Sequence, residues 1–135
     1  MIRLILSLTL LAGCQAPKRA QTPPVFGTWF ANANSINYLN LQNMALELRA
    51  DSSYRYFYRV APRPGETSGD EYTEGGSYSV RGDSLYFRTS EANGNDTQFE
   101  YARKYRMLSD TAEWPLRVTY VKQGVTFEVY FRAEQ

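Results

Sequence analysis

One cysteine, eleven tyrosines and no histidine set the range of chemistry open to this chain. Without imidazole there is no histidine-based triad and no imidazole metal site. The single thiol, Cys14, lies in a leader segment rather than in a folded region. Carboxylates remain as acid and base groups, but no pair of them has a spacing that brings both to one point. The chain therefore reads as a non-enzyme with no cofactor and no metal site.

What the sequence does offer is aromatic side chains at a spacing of two. Tyr54, Tyr56 and Tyr58 form one such row, and Phe99, Tyr101, Arg103 and Tyr105 form another; Phe87, Tyr120 and Phe127 fall on similar apolar rows. A spacing of two places every member on the same face of a β-strand. Tyrosine rings turned inward suit a semi-polar ligand site, because each brings an apolar body and a hydroxyl that needs a partner. The plainer reading is that the same rings fill a core with their hydroxyls at its rims. Arg103 sharpens the choice, since a guanidinium on an inner face requires a counter-charge or a bound anion. It could hold a ligand carboxylate, or a bulge could turn it outward.

The elements that must position these residues are strands. From Val25 onward a period of two recurs, with turn residues between the runs and no amphipathic helix. Eight strands are predicted: Val25–Phe30, Met44–Ala50, Ser53–Val60, Tyr72–Arg81, Ser84–Thr89, Thr97–Met107, Leu116–Lys122 and Val125–Ala133. Asp51-Ser52, Gly82-Asp83 and Gln123-Gly124 are short enough to make hairpins. Ala31–Asn43, Ala61–Glu71, Ser90–Asp96 and Leu108–Pro115 are the longer connections, and only the first has the makings of a helical turn. The predicted inner rows include Met44, Leu46 and Leu48; Tyr54 to Val60; Tyr78 and Val80; Leu85 and Phe87; Leu116, Val118 and Tyr120; and Val125, Phe127, Val129 and Phe131. Antiparallel strands in series, each with one apolar face, lose their exposed edges most simply in an up-and-down barrel. A two-sheet sandwich satisfies the same pattern. About 110 residues suffice for one such domain, assigned to 25–135.

Ahead of the domain, Ile2–Leu11 is a short apolar leader with one charge, Arg3, and it ends in Leu11-Ala12-Gly13-Cys14. Those four residues resemble the bacterial lipobox. The resemblance implies a signal peptide over 1–13, cut just before Cys14, whose sulfur and amino group become acylated. It implies a lipoprotein of the cell envelope, on the outer membrane facing the periplasm, whose membrane partner is reached through acyl chains; two or more such chains hold stably where one does not. Losing residues 1–13 removes Arg3 and balances the remaining charge, so nothing electrostatic points to nucleic acid. Residues 14–24, with three prolines and no apolar periodicity, read as a flexible tether. In an extended Pro-rich conformation, at about 3.1 Å per residue, it spans about 30 Å.

Gly27-Thr28-Trp29 opens the first strand and is similar to the Gly-x-Trp opening of the lipocalins and of lipocalin-like domains in bacterial lipoproteins. That resemblance implies an eight-stranded antiparallel barrel holding an apolar ligand in a cup. It also implies a floor formed by Gly27 and Trp29, with an arginine near the last strand across the indole ring, for which Arg132 is the candidate.

Other motifs have simpler explanations. Arg81-Gly82-Asp83-Ser84 sits where a hairpin needs its turn, Tyr54–Arg59 alternates as any strand does, and the acidic stretches 70–74 and 93–96 lack the oxygen spacing of a calcium loop. Two functions follow. Either the barrel binds a small apolar or amphipathic molecule, or it is solid and acts by its surface, through Ala61–Glu71 and Ser90–Asp96, as a structural or inhibitory envelope protein. An interior cavity of about 300 Å³ or more would separate them.

Overall fold

The computed structural model describes residues 25–109 and 111–134; the leader, Cys14 and the tether lie outside them. Eight strands follow the chain order around a closed antiparallel barrel. They are β1 (Gly27–Ala31), β2 (Leu41–Leu48), β3 (Ser53–Val60), β4 (Glu71–Arg81), β5 (Ser84–Ala92), β6 (Asn95–Met107), β7 (Leu116–Lys122) and β8 (Val125–Ala133). Closure is made by β8 on β1, with Phe30 opposite Arg132, which decides for the barrel over the sandwich. Among the described residues no helix is long and apolar enough to cross a membrane.

Three strands, β3, β7 and β8, keep the predicted bounds. β2 moves toward the N-terminus, to Leu41–Leu48, and β5 and β6 run on to Ala92 and start at Asn95. The predicted Ser90–Asp96 loop is therefore strand, with a tight turn at Asn93 (φ 51°) and Gly94 (φ 77°). Positive φ at both central residues gives the twist that matches an antiparallel pair, and Asn and Gly tolerate it best. Polar composition marked the segment as a loop, but local turn geometry governs it.

Between β1 and β2 lies the helical turn, α1 (Ala33–Ile36) continued by a 3₁₀ turn at Asn37–Leu39. Asn32 caps it, accepting the Asn34 N–H at 2.9 Å on its side-chain oxygen. Ile36 and Leu39 are buried in the main core, and the Asn32 N–H donates to the Tyr130 carbonyl at 2.7 Å. One mouth of the barrel is covered by this turn.

Inside, the alternation holds. Leu85, Leu116, Val118, Val129 and Phe131 are wholly buried, with Met44, Leu46 and Leu48 beside them. Three residues expected within are exposed: Val80 (45%), Phe99 (39%) and Val125 (53%). Val80 and Val125 occupy inward positions close to strand ends. Phe99 lies on a part of β6 that has no β7 beside it.

Two irregularities bend the β4–β5–β6 side. Register shifts occur at Gly75/Gly76 and at Thr89/Glu91. A Cβ on Gly76 would collide with the Arg88 carbonyl, so only glycine allows β4 this close to β5.

Candidate functional site

Two halves of the barrel interior differ in chemistry. β7, β8, β1 and β2 contribute mainly buried aliphatic side chains with Trp29, Phe131 and the single buried phenol Tyr120. β3 to β6 contribute Tyr54, Tyr56, Tyr58, Tyr72, Glu74, Phe87, Thr89, Tyr101 and Arg103.

Glu74 is the centre of the polar half. It is only 7% exposed, and three phenols donate to its carboxylate: Tyr54 at 3.2 Å, Tyr72 at 2.7 Å, and Tyr101. The Tyr54 hydroxyl also meets the Thr89 hydroxyl at 2.5 Å. A buried carboxylate is tolerable only with such donors. Register explains the meeting, since Tyr56 lies opposite Glu74 on β4, while Tyr54 and Thr89 flank Gly76. Ring contacts complete the wall. Tyr58 stacks on Tyr72 at 4.8 Å, Phe87 on Tyr101 at 4.9 Å, and Tyr54 meets Phe87 edge-on at 4.8 Å.

These surroundings hold the phenols neutral. Burial, and then the Glu74 charge beside it, pushes the Tyr54 hydroxyl up to about 12 despite its bond to Thr89. Burial likewise raises Tyr72 and Tyr101, reinforced in both by the bond to Glu74. Tyr56 and Tyr120 are raised chiefly by burial, with Arg103 pulling the other way.

Arg103 points inward, as the alternation predicts. Its guanidinium lies 4.0 Å from the centre of the Tyr120 ring and 5.0 Å from that of Tyr101. The bulges fall elsewhere in the sheet. Tyr105, opposite Val118, is half-buried, as is Phe127, which stacks 6.5 Å from the exposed Tyr38.

Trp29 is buried and its indole N–H donates to the Val25 carbonyl at 2.7 Å. Gly27, two residues before it, has a φ of +146°, a value that favours glycine. Arg132 requires a correction. Phe131 is wholly buried, so alternation turns Arg132 to the outer face, where it lies over the Trp114 ring at 4.9 Å. The predicted contact with Trp29 is thereby lost, because Trp29 is on the inner face.

The sequence reading missed Glu74, Tyr72 and Thr89. Period two through Tyr72, Glu74, Gly76 and Tyr78 was the available signal for the first two; reading 70–74 as a solvated acidic stretch hid it. In fact Glu71, on the outer face, pairs with Arg59 at 3.0 Å, while Glu74 turns in.

Ring contacts link the inward side chains of β3 to β6, and grooves of molecular size run along these strands. One of about 540 Å³ runs over β4, β5 and β6, bordered by Ser79, Arg81, Tyr86 and Glu100 together with Tyr78 and Tyr101 of the inner rows.

No protein-family model matches the chain, and neither a curated protein nor a solved structure does.

Proposed function

We propose that the protein is a lipid-anchored envelope protein of the lipocalin-like kind, tethered through acyl chains on Cys14, whose barrel binds a small amphipathic molecule against the β3–β6 wall. One observation carries this reading: the inward wall of a barrel that could have been sealed with apolar groups instead holds a carboxylate, a guanidinium and several phenols. Tyr58, Tyr72, Tyr101 and Arg103 on it are only half-buried. Buried polar networks cost stability relative to apolar packing, so a folding role alone gives no reason for them. The half-aromatic, half-polar lining matches a ligand with both characters.

A second reading, a solid barrel acting by its outer surface, is favoured by the ring packing and by the groove at Tyr86. Ser90–Asp96 cannot serve it as a loop, leaving Ala61–Asp70 and the sheet face.

Two experiments test the proposal. Labelling cells with an alkyne fatty acid should modify the wild-type chain and leave Cys14→Ala unlabelled; label on the variant would refute the anchor. Native mass spectrometry of the full chain released from detergent should show a small molecule beyond the acyl mass. A uniformly bare protein would favour the solid barrel.

A further inference from the structure

The seam between β6 and β7 leaves most of β6 unpaired. Only Tyr105 with Val118, Arg106 with Arg117 and Met107 with Leu116 pair across it. The rest of β6, Asn95–Lys104, has β5 on one side and no β7 partner on the other. Arg103 belongs to this unpaired length, and its guanidinium reaches across the seam to the Tyr120 ring of β7.

Cation–π contact with two rings leaves the guanidinium's N–H edges for hydrogen bonds. Among the described residues, no carboxylate lies within 4.0 Å of Arg103 and none of its N–H groups has a hydrogen-bond partner. Every wholly buried side-chain nitrogen or oxygen does have one. The Arg103 edges are therefore open to water, on a length of β6 that has no β7 partner.

The interior carboxylate is not ion-paired with Arg103. Glu74 is engaged by Tyr54, Tyr72 and Tyr101. Tyr101 binds Glu74 through its hydroxyl and lies beside Arg103 with its ring, so Glu74 fixes the platform on which the guanidinium rests without pairing to it.

We infer that the ligand carries a single carboxylate, received by the free edge of Arg103 at the β6–β7 seam. The inference rests on the ligand-binding reading above. A guanidinium fork matches a carboxylate in shape and charge. The fixed negative charge of Glu74 nearby disfavours a dianion such as a phosphate monoester. Phe99, on the inner face of β6 beyond its last residue paired with β7, is exposed and adds the apolar surface that an acid's hydrocarbon tail requires.

The test is calorimetric titration of the full chain in phospholipid nanodiscs with octanoate and with 1-octanol, empty nanodiscs serving as the blank. Octanoate should saturate one site and bind more tightly than octanol. Arg103→Gln should weaken octanoate by about ten- to a hundredfold, the range expected for a charge-assisted hydrogen-bonded pair, and weaken octanol far less. Arg103→Lys, which keeps the charge and most of the stem, should fall between and serves if the glutamine variant does not fold. Equal binding of acid and alcohol, or octanoate binding untouched by both substitutions, would overturn the carboxylate assignment and leave the ligand-binding reading standing. Absence of binding by either probe would count against both.

Discussion

β7, β8, β1 and β2 close one side of the barrel with side chains that, Tyr120 apart, need little from their neighbours but contact. Phe131, Leu116, Val118 and Val129 are wholly buried there, and Trp29 satisfies its one donor locally on Val25. β3 to β6 close the other side with groups that each need a specific partner: Glu74 needs its phenols, Tyr54 needs Glu74 and Thr89, and Arg103 needs two rings. The two sides share a topology and a strand period. Their difference teaches that the barrel's stability and its chemical character reside in different strands, so each can be perturbed separately.

The comparison breaks first on the apolar side. Phe131→Ala should cost about 3–5 kcal/mol, the range for removing a buried aromatic ring and leaving a cavity, measured by urea unfolding. A cost under 1 kcal/mol would mean that this side does not hold the fold.

On the polar side the sharpest lever is alkaline pH. Tyr54 is held up to about 12, against about 10 in an unfolded chain. Because its folded value is raised, its contribution is fully present below pH 10 and is lost as pH climbs from about 10 toward 12. Tyr72, Tyr101, Tyr56 and Tyr120 are raised as well and act in the same direction. Urea midpoints should fall steeply across that window, with buried phenolate absorbance near 295 nm appearing only on unfolding. Phenols of a folded barrel that ionise together at pH 10 would contradict a dry polar wall.

Glu74→Gln keeps the shape and removes the charge that three phenols share. A loss of about 1–3 kcal/mol is expected, with little change in the near-ultraviolet signal of Trp29 on the other side. Loss of structure throughout would show that the two sides do not act independently.

Much of the apolar side was legible in the sequence, because there each side chain's place follows from alternation alone. Met44, Leu46, Leu48, Leu116, Val118, Val129 and Phe131 all lie where a period of two puts them. The polar side was half legible. Tyr54, Tyr56, Tyr101 and Arg103 follow the same rule, but Glu74 and Thr89 depend on which residues meet across strands, and register shifts at Gly75/Gly76 and Thr89/Glu91 decide that. A bulge is a cross-strand event with little signature in either strand by itself. The Arg132 assignment failed for a related reason: the resemblance offered a partner, while the strand's own alternation already placed Arg132 outside.

The smallest effect is the most discriminating. Thr89→Val replaces a buried, β-branched residue with one of nearly the same shape and removes only the hydroxyl that meets Tyr54. Tyr54 retains its bond to Glu74, so no donor is orphaned and the cost should stay within about 1 kcal/mol. Tyr54→Phe alone should cost more, since it takes a donor from Glu74 and leaves the Thr89 hydroxyl buried without this partner. In the double variant that second penalty disappears, because a valine has no hydroxyl to satisfy. The two costs should therefore sum to more than the measured loss, with a coupling of about 0.5–1 kcal/mol in a double-mutant cycle. Strict additivity would mean that the two hydroxyls do not depend on each other, and that the polar side is a set of separate bonds rather than a network centred on Glu74.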